Sequence, residues 1–134
     1  MGDEIVFVYV EDDQPSRLIM EMMLDEMGFA YVTVLADSYT FLDTIEALSP
    51  APNVFFLDIH VQPYDGFEML ALLRQHPRFQ DALVIALTAS VMNEEVARLK
   101  TAGFDSIISK PLNQDVFPAT LERILSGEKV WRIL

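Results

Sequence analysis

Three short runs, IVFVYV at 5–10, VFFL at 54–57 and LVIAL at 83–87, are apolar almost without interruption. A strand with one wet face alternates apolar with polar residues, so runs like these belong to parallel strands covered on both faces. Parallel neighbours need a crossover between them, and the intervening sequence supplies one each time. Ile19, Met23 and Met27, then Phe41, Ile45 and Leu48, then Phe67, Leu70 and Leu73 recur at helical spacing. A shorter helix around Glu94 to Lys100 stops at Gly103, and Phe117, Leu121, Ile124 and Leu125 mark a last one. With further strands at Tyr31 to Leu35 and Ser106 to Ile108, the pattern predicts an α/β fold, five βα units around a parallel sheet.

Local signals agree with these boundaries. Pro15 suits a first helical turn, Asp65-Gly66-Phe67-Glu68 resembles a capping box, and Gly28 and Gly103 can end helices. Pro118 would break a helix begun at Gln114, so the last helix is expected to start near Val116. At 134 residues the chain has the size of one domain, expected over 1–126 with a short tail over 127–134.

Composition removes several functions. There is no cysteine, hence no disulfide, thiolate metal site or cysteine nucleophile. No apolar run approaches the roughly 20 residues that cross a bilayer. The net charge of −12 would repel nucleic acid and anionic lipid, so no direct nucleic-acid or membrane partner is expected, and the partners should be proteins or a cation. A soluble, cytoplasmic protein is the expectation.

Ligands of such sheets bind beyond the carboxyl ends of the strands. There the sequence places Glu11-Asp12-Asp13, Asp58, Thr88-Ala89 and Lys110-Pro111. Three acids from two strand ends repel one another unless a cation sits among them, and an all-oxygen set suits a hard ion such as Mg2+. Glu11, Asp12 and Asp58 make such a set. A carboxylate so placed can attack phosphorus if a metal and a cation neutralise the moving phosphoryl group. Lys110 supplies the cation, Thr88 a hydroxyl, and Ala89 room.

The motifs VEDD at 10–13, LDI at 57–59, DGFEML at 65–70, ALTA at 86–89 and SKP at 109–111, in that order, resemble the receiver domains of bacterial response regulators from about Ile5 to Leu125. The resemblance implies a doubly wound, flavodoxin-like sheet of order 2-1-3-4-5 with helices on both faces. It implies that Asp58 accepts a phosphoryl group from a histidine kinase or phosphotransfer protein, and that Glu11 and Asp12 organise Mg2+ together with Asp58 and the backbone carbonyl of His60. It further implies roles for Thr88 and Lys110 at the phosphoryl group, a cis bond before Pro111, a downstream output protein or domain, and a homodimer through the fourth and fifth helices. Such a protein is a signalling switch that catalyses its own phosphorylation and dephosphorylation rather than an enzyme. Two positions depart from the family pattern. Ile107 stands where the switch usually has an aromatic, and Gln62-Pro63 puts the loop proline one position late.

Blander readings fit other residues. Asp13 and Asp65 read as helix caps, His60 and His76 lack any zinc-ligand spacing, and Met23 and Met27 belong to a core stripe whereas Met20 and Met22 leave a sticky docking face open. The VWRIL tail at 130–134 either packs back, docks a partner, or marks where an output domain begins. Two other functions compete. A phosphohydrolase of the haloacid-dehalogenase type would need DxD after the first strand, where this chain has EDD, and a cap for which it has no room. A receiver-like module that binds partners without phosphorylation is the stronger rival.

Overall fold

In the computed structural model, described over residues 4–131, the first strand β1 (Val6–Val10) is buried along its whole length. It pairs in parallel with β2 (Tyr31–Leu35) on one side and β3 (Val54–Asp58) on the other. β4 (Leu83–Thr88) and β5 (Ser106–Ser109) complete a five-stranded sheet of order β2-β1-β3-β4-β5. The three continuous apolar runs thus became the three interior strands, which need apolar side chains on both faces.

Successive side chains of a strand point to opposite faces, and this divides the core in two. Phe7 and Tyr9 face α1 (Gln14–Glu26) and α5 (Phe117–Leu125), packing with Met20, Leu24, Phe56, Phe117 and Leu121. Val8 and Val10 face the other way with Phe55 and Leu57, covered by α2 (Phe41–Ala47), α3 (Gly66–Arg74) and α4 (Asn93–Ala102). Along α1 the fully buried residues are Met20, Met23 and Leu24, whereas Ile19 and Met27 are only partly buried. Met20 is therefore core, and of the four methionines weighed as a docking face Met22 is the one that is exposed. Met20, Met23 and Leu24 have the i, i+3, i+4 spacing of one helix face, and Ile19 and Met27 lie at its margins.

Helix ends follow the chain's local chemistry. Asp13 caps α1 through Ser16, with Pro15 in the first turn. Asp65 and Glu68 form a reciprocal capping box on α3. Gly103 ends α4 at φ +111°, a left-handed conformation that costs glycine little. Val116 is the cap of α5, so Pro118 falls in its first turn, where its missing N–H removes nothing.

Beyond α5 the chain returns to the sheet. Val130 is 4% exposed, its N–H donates to Ser106 Oγ at 2.8 Å, and its carbonyl accepts the Ile107 N–H at 2.9 Å. Among the described residues no helix is long and apolar enough to cross a membrane.

Candidate functional site

The carboxyl ends of β1, β3, β4 and β5 converge because all the strands run the same way. β3 terminates on Asp58, β4 on Thr88, and Glu11 and Lys110 each follow the last residue of their strands. Glu11 is fully buried, Asp58 nearly so at 3%, and Asp12 is exposed. One carboxylate oxygen from each of the three lies within 4.8 Å of the others. Lys110 Nζ bridges the two buried acids, 2.8 Å from Asp58 Oδ2 and 3.0 Å from Glu11 Oε2.

Burial and charge set the protonation of this cluster. Glu11 is pushed up to about 7, first by loss of solvent and then by its bond to Asp58, against the pull of Lys110. Burial also pushes Asp58 upward, but its bond with Glu11, the His60 N–H and the Lys110 ammonium outweigh that, and its carboxyl lies below the ordinary range. The two acids have therefore separated into an ionised Asp58 and a Glu11 that takes up the proton first. Lys110 is held above its ordinary value because its bonds to Asp58 and Glu11 exceed the cost of its burial.

A hard divalent cation fits this donor set. Three carboxylates face one ammonium, all the ligand atoms are oxygens, and exposed Asp12 leaves an open side where water can remain coordinated. The side chain of His60 is exposed, and the His60 backbone N–H donates to Asp58 Oδ1 at 2.9 Å. The Thr88 hydroxyl is turned toward its own loop, donating to the Ser90 carbonyl at 3.1 Å and accepting the Ser90 N–H at 3.0 Å. Ile107 lies wholly buried in β5, beside Ala86 of β4. The Lys110–Pro111 peptide is cis, as are Ser49–Pro50 and Gln62–Pro63.

Three contributors escaped the sequence reading. The Tyr9 hydroxyl donates to Glu11 Oε1 at 2.9 Å from within the core. Its signal was present, since Tyr9 is the one side chain of IVFVYV with a polar tip and stands two residues before an acid. Arg17 Nη1 donates to the Glu11 carbonyl at 2.8 Å. Buried Ser38 clamps the loop after β3, its N–H donating to the Gln62 carbonyl and its Oγ exchanging bonds with the Tyr64 backbone. Gly66 lets α3 start against this loop, because a Cβ there would lie 3.0 Å from the Asp58 carbonyl oxygen.

The family model described as the response regulator receiver domain matches residues 7–122. The response regulator Rre1 of Synechocystis is 27% identical over 129 residues, covering 96% of this chain and 55% of that protein. The chain thus spans about half the length of Rre1. A probable chemotaxis protein CheY of Rhizobium etli is 24% identical over 130 residues, covering 96% of this chain and 98% of its own length. Among solved structures, the chemotaxis response regulator CheY4 of Vibrio cholerae shares the fold with a TM-score of 0.81 at 21% identity, over 90% of this chain and 98% of that one.

Proposed function

Because the chain belongs to the response regulator receiver domain family, a family of signalling switches, we propose that it is a phospho-acceptor that takes a phosphoryl group on Asp58 from a histidine kinase or histidine phosphotransfer protein. The observation that carries the reading is the Lys110 bridge, which ties the ends of β1, β3 and β5 together at an ionised Asp58.

Glu11, Asp12, Asp58 and the His60 carbonyl would hold Mg2+, and the chemistry a bound magnesium supplies is charge neutralisation on the phosphoryl oxygens. Asp58 acts as nucleophile, one carboxylate oxygen forming the bond to phosphorus as the bond from phosphorus to the donor's imidazole nitrogen breaks, and the imidazole keeps that electron pair. His60 N–H and Lys110 hold the two Asp58 oxygens apart and aimed. Lys110 then re-pairs with a phosphoryl oxygen, and Thr88 leaves Ser90 to donate its hydroxyl to another. Hydrolysis of the acyl phosphate returns the free carboxylate.

The same proposal includes a receiver domain over 1–126 with a tail over 127–134, a cytoplasmic location, a downstream output protein or domain, and a homodimer through α4 and α5. One observation favours a second reading, a module that binds partners without phosphorylation. Ile107 is an aliphatic residue, wholly buried and with its amide tied to Val130, so it has no ring to swing. Incubation with a small-molecule phosphodonor, read by intact mass, separates the two. One magnesium-dependent phosphoryl adduct on the native chain, absent from Asp58→Asn, is the expected result. No adduct on folded native protein would leave the binding module as the account.

A further inference from the structure

We propose that Tyr9 is a positioning residue for the divalent cation, its core-anchored hydroxyl fixing the Glu11 carboxylate in the cleft. The inference rests on the magnesium reading above and deepens it.

Tyr9 and Glu11 are two residues apart at the end of a strand, and side chains at that spacing share a face. The Tyr9 ring is part of the core between the sheet, α1 and α5, fully buried and set edge-on to Phe56 with ring centroids 6.1 Å apart. Its hydroxyl emerges at the top of that core and meets Glu11 Oε1 at 2.9 Å. A ring held this way has no rotamer freedom to spend, so the donor is already aimed before any ligand arrives.

Glu11 has three donors, and they are not equivalent. Asp13 N–H reaches Oε2 at 3.2 Å, and Lys110 Nζ lies against both oxygens, 2.9 Å from Oε1 and 3.0 Å from Oε2. Lys110 is shared with Asp58 and is the group that leaves when a phosphoryl oxygen competes for it. Tyr9 is then the side-chain donor that stays on Oε1, and with the Asp13 N–H it pins both oxygens of a carboxylate that is wholly out of solvent. The length of glutamate matters, because the carboxylate must reach back to the hydroxyl and still face Asp12 and Asp58. An aspartate at position 11, one methylene shorter, loses that reach.

Calorimetric titration of the full chain with MgCl2 at one alkaline pH tests this, using Tyr9→Phe, Glu11→Asp and the double variant. Tyr9→Phe removes one oxygen and keeps the ring, and circular dichroism checks that unfolding stays cooperative. The expected result is about a tenfold weaker Mg2+ affinity for Tyr9→Phe, and no further loss from it once Glu11→Asp is present. A merely structural role would cost the same in both backgrounds. Affinity within about twofold of the native chain, or equal losses in both backgrounds, overturns the assignment. Failure of the native chain to take up Mg2+ overturns the magnesium site and this inference with it, and is visible before any Tyr9 variant is measured.

Discussion

Glu11 carries opposite demands, since it is buried where a neutral group is preferred and placed among donors that suit an anion. Its ordinary value is 4.5 and in the fold it stands at about 7. Between those values the folded chain holds a proton that the unfolded chain has released. The stability Glu11 contributes is therefore fully present below 4.5 and is lost as pH rises through about 7. Asp58 acts in the other direction and in another window. Its folded value lies below 3.8, so its contribution is present above 3.8 and lost as pH falls further. In urea unfolding without metal, the native chain is thus expected to lose stability relative to Glu11→Gln between about pH 5 and about pH 7.5. Parallel pH profiles for the two proteins would show that Glu11 titrates normally.

At the scale of elements, β5 is one of the sheet's two edges, and an open edge invites pairing with another chain. Val130 occupies it, bonded to Ser106 and Ile107, while Lys129 lies 3.6 Å from Asp105 and Trp131 covers the side toward α4, with Lys100 5.4 Å from its ring. Val130→Asp puts a charge into this seam and should peel the segment away, costing about 2 to 3 kcal/mol of burial and bonding. The chain has one tryptophan, so its emission reports the change directly. A shift to longer wavelength and faster amide exchange at Ile107 are expected, and unchanged emission would mean that Trp131 is held by α4 alone. The VWRIL run at 130–134 left three fates open, and Val130 takes the one in which it packs back, while residues 132–134 lie outside the described part. A single strand-like residue after a helix has no periodicity by which the sequence could have chosen among them. The interior strands were legible for the opposite reason, their double burial forcing continuous apolar runs. Asp58 and Thr88 were legible because those runs fix the ends of their strands, and Lys110 through Pro111 and its place after the fifth strand, whereas Ser38 and Arg17 bind backbone atoms, 26 and six residues away, in contacts that leave no residue pattern.

For the whole molecule, 21 acids against nine lysines and arginines create a self-repulsion that any added salt relieves. The three acids of the cleft, which share the one ammonium of Lys110, add a local term that a coordinating cation would relieve, and the two terms can be separated. Raising NaCl should lift the melting temperature gradually, without saturation, as screening grows. On the magnesium reading, MgCl2 at matched ionic strength should add a saturating increment, about 2.7 kcal/mol at a hundredfold excess over Kd, the amount by which a ligand of the folded state alone stabilises it. Asp12 is exposed and belongs to the cluster, so Asp12→Asn disturbs packing little while removing one of its three carboxylates. That variant should keep the NaCl response and lose most of the magnesium increment. If it keeps both, magnesium is acting on the diffuse surface charge, and the cleft is not where the cation binds.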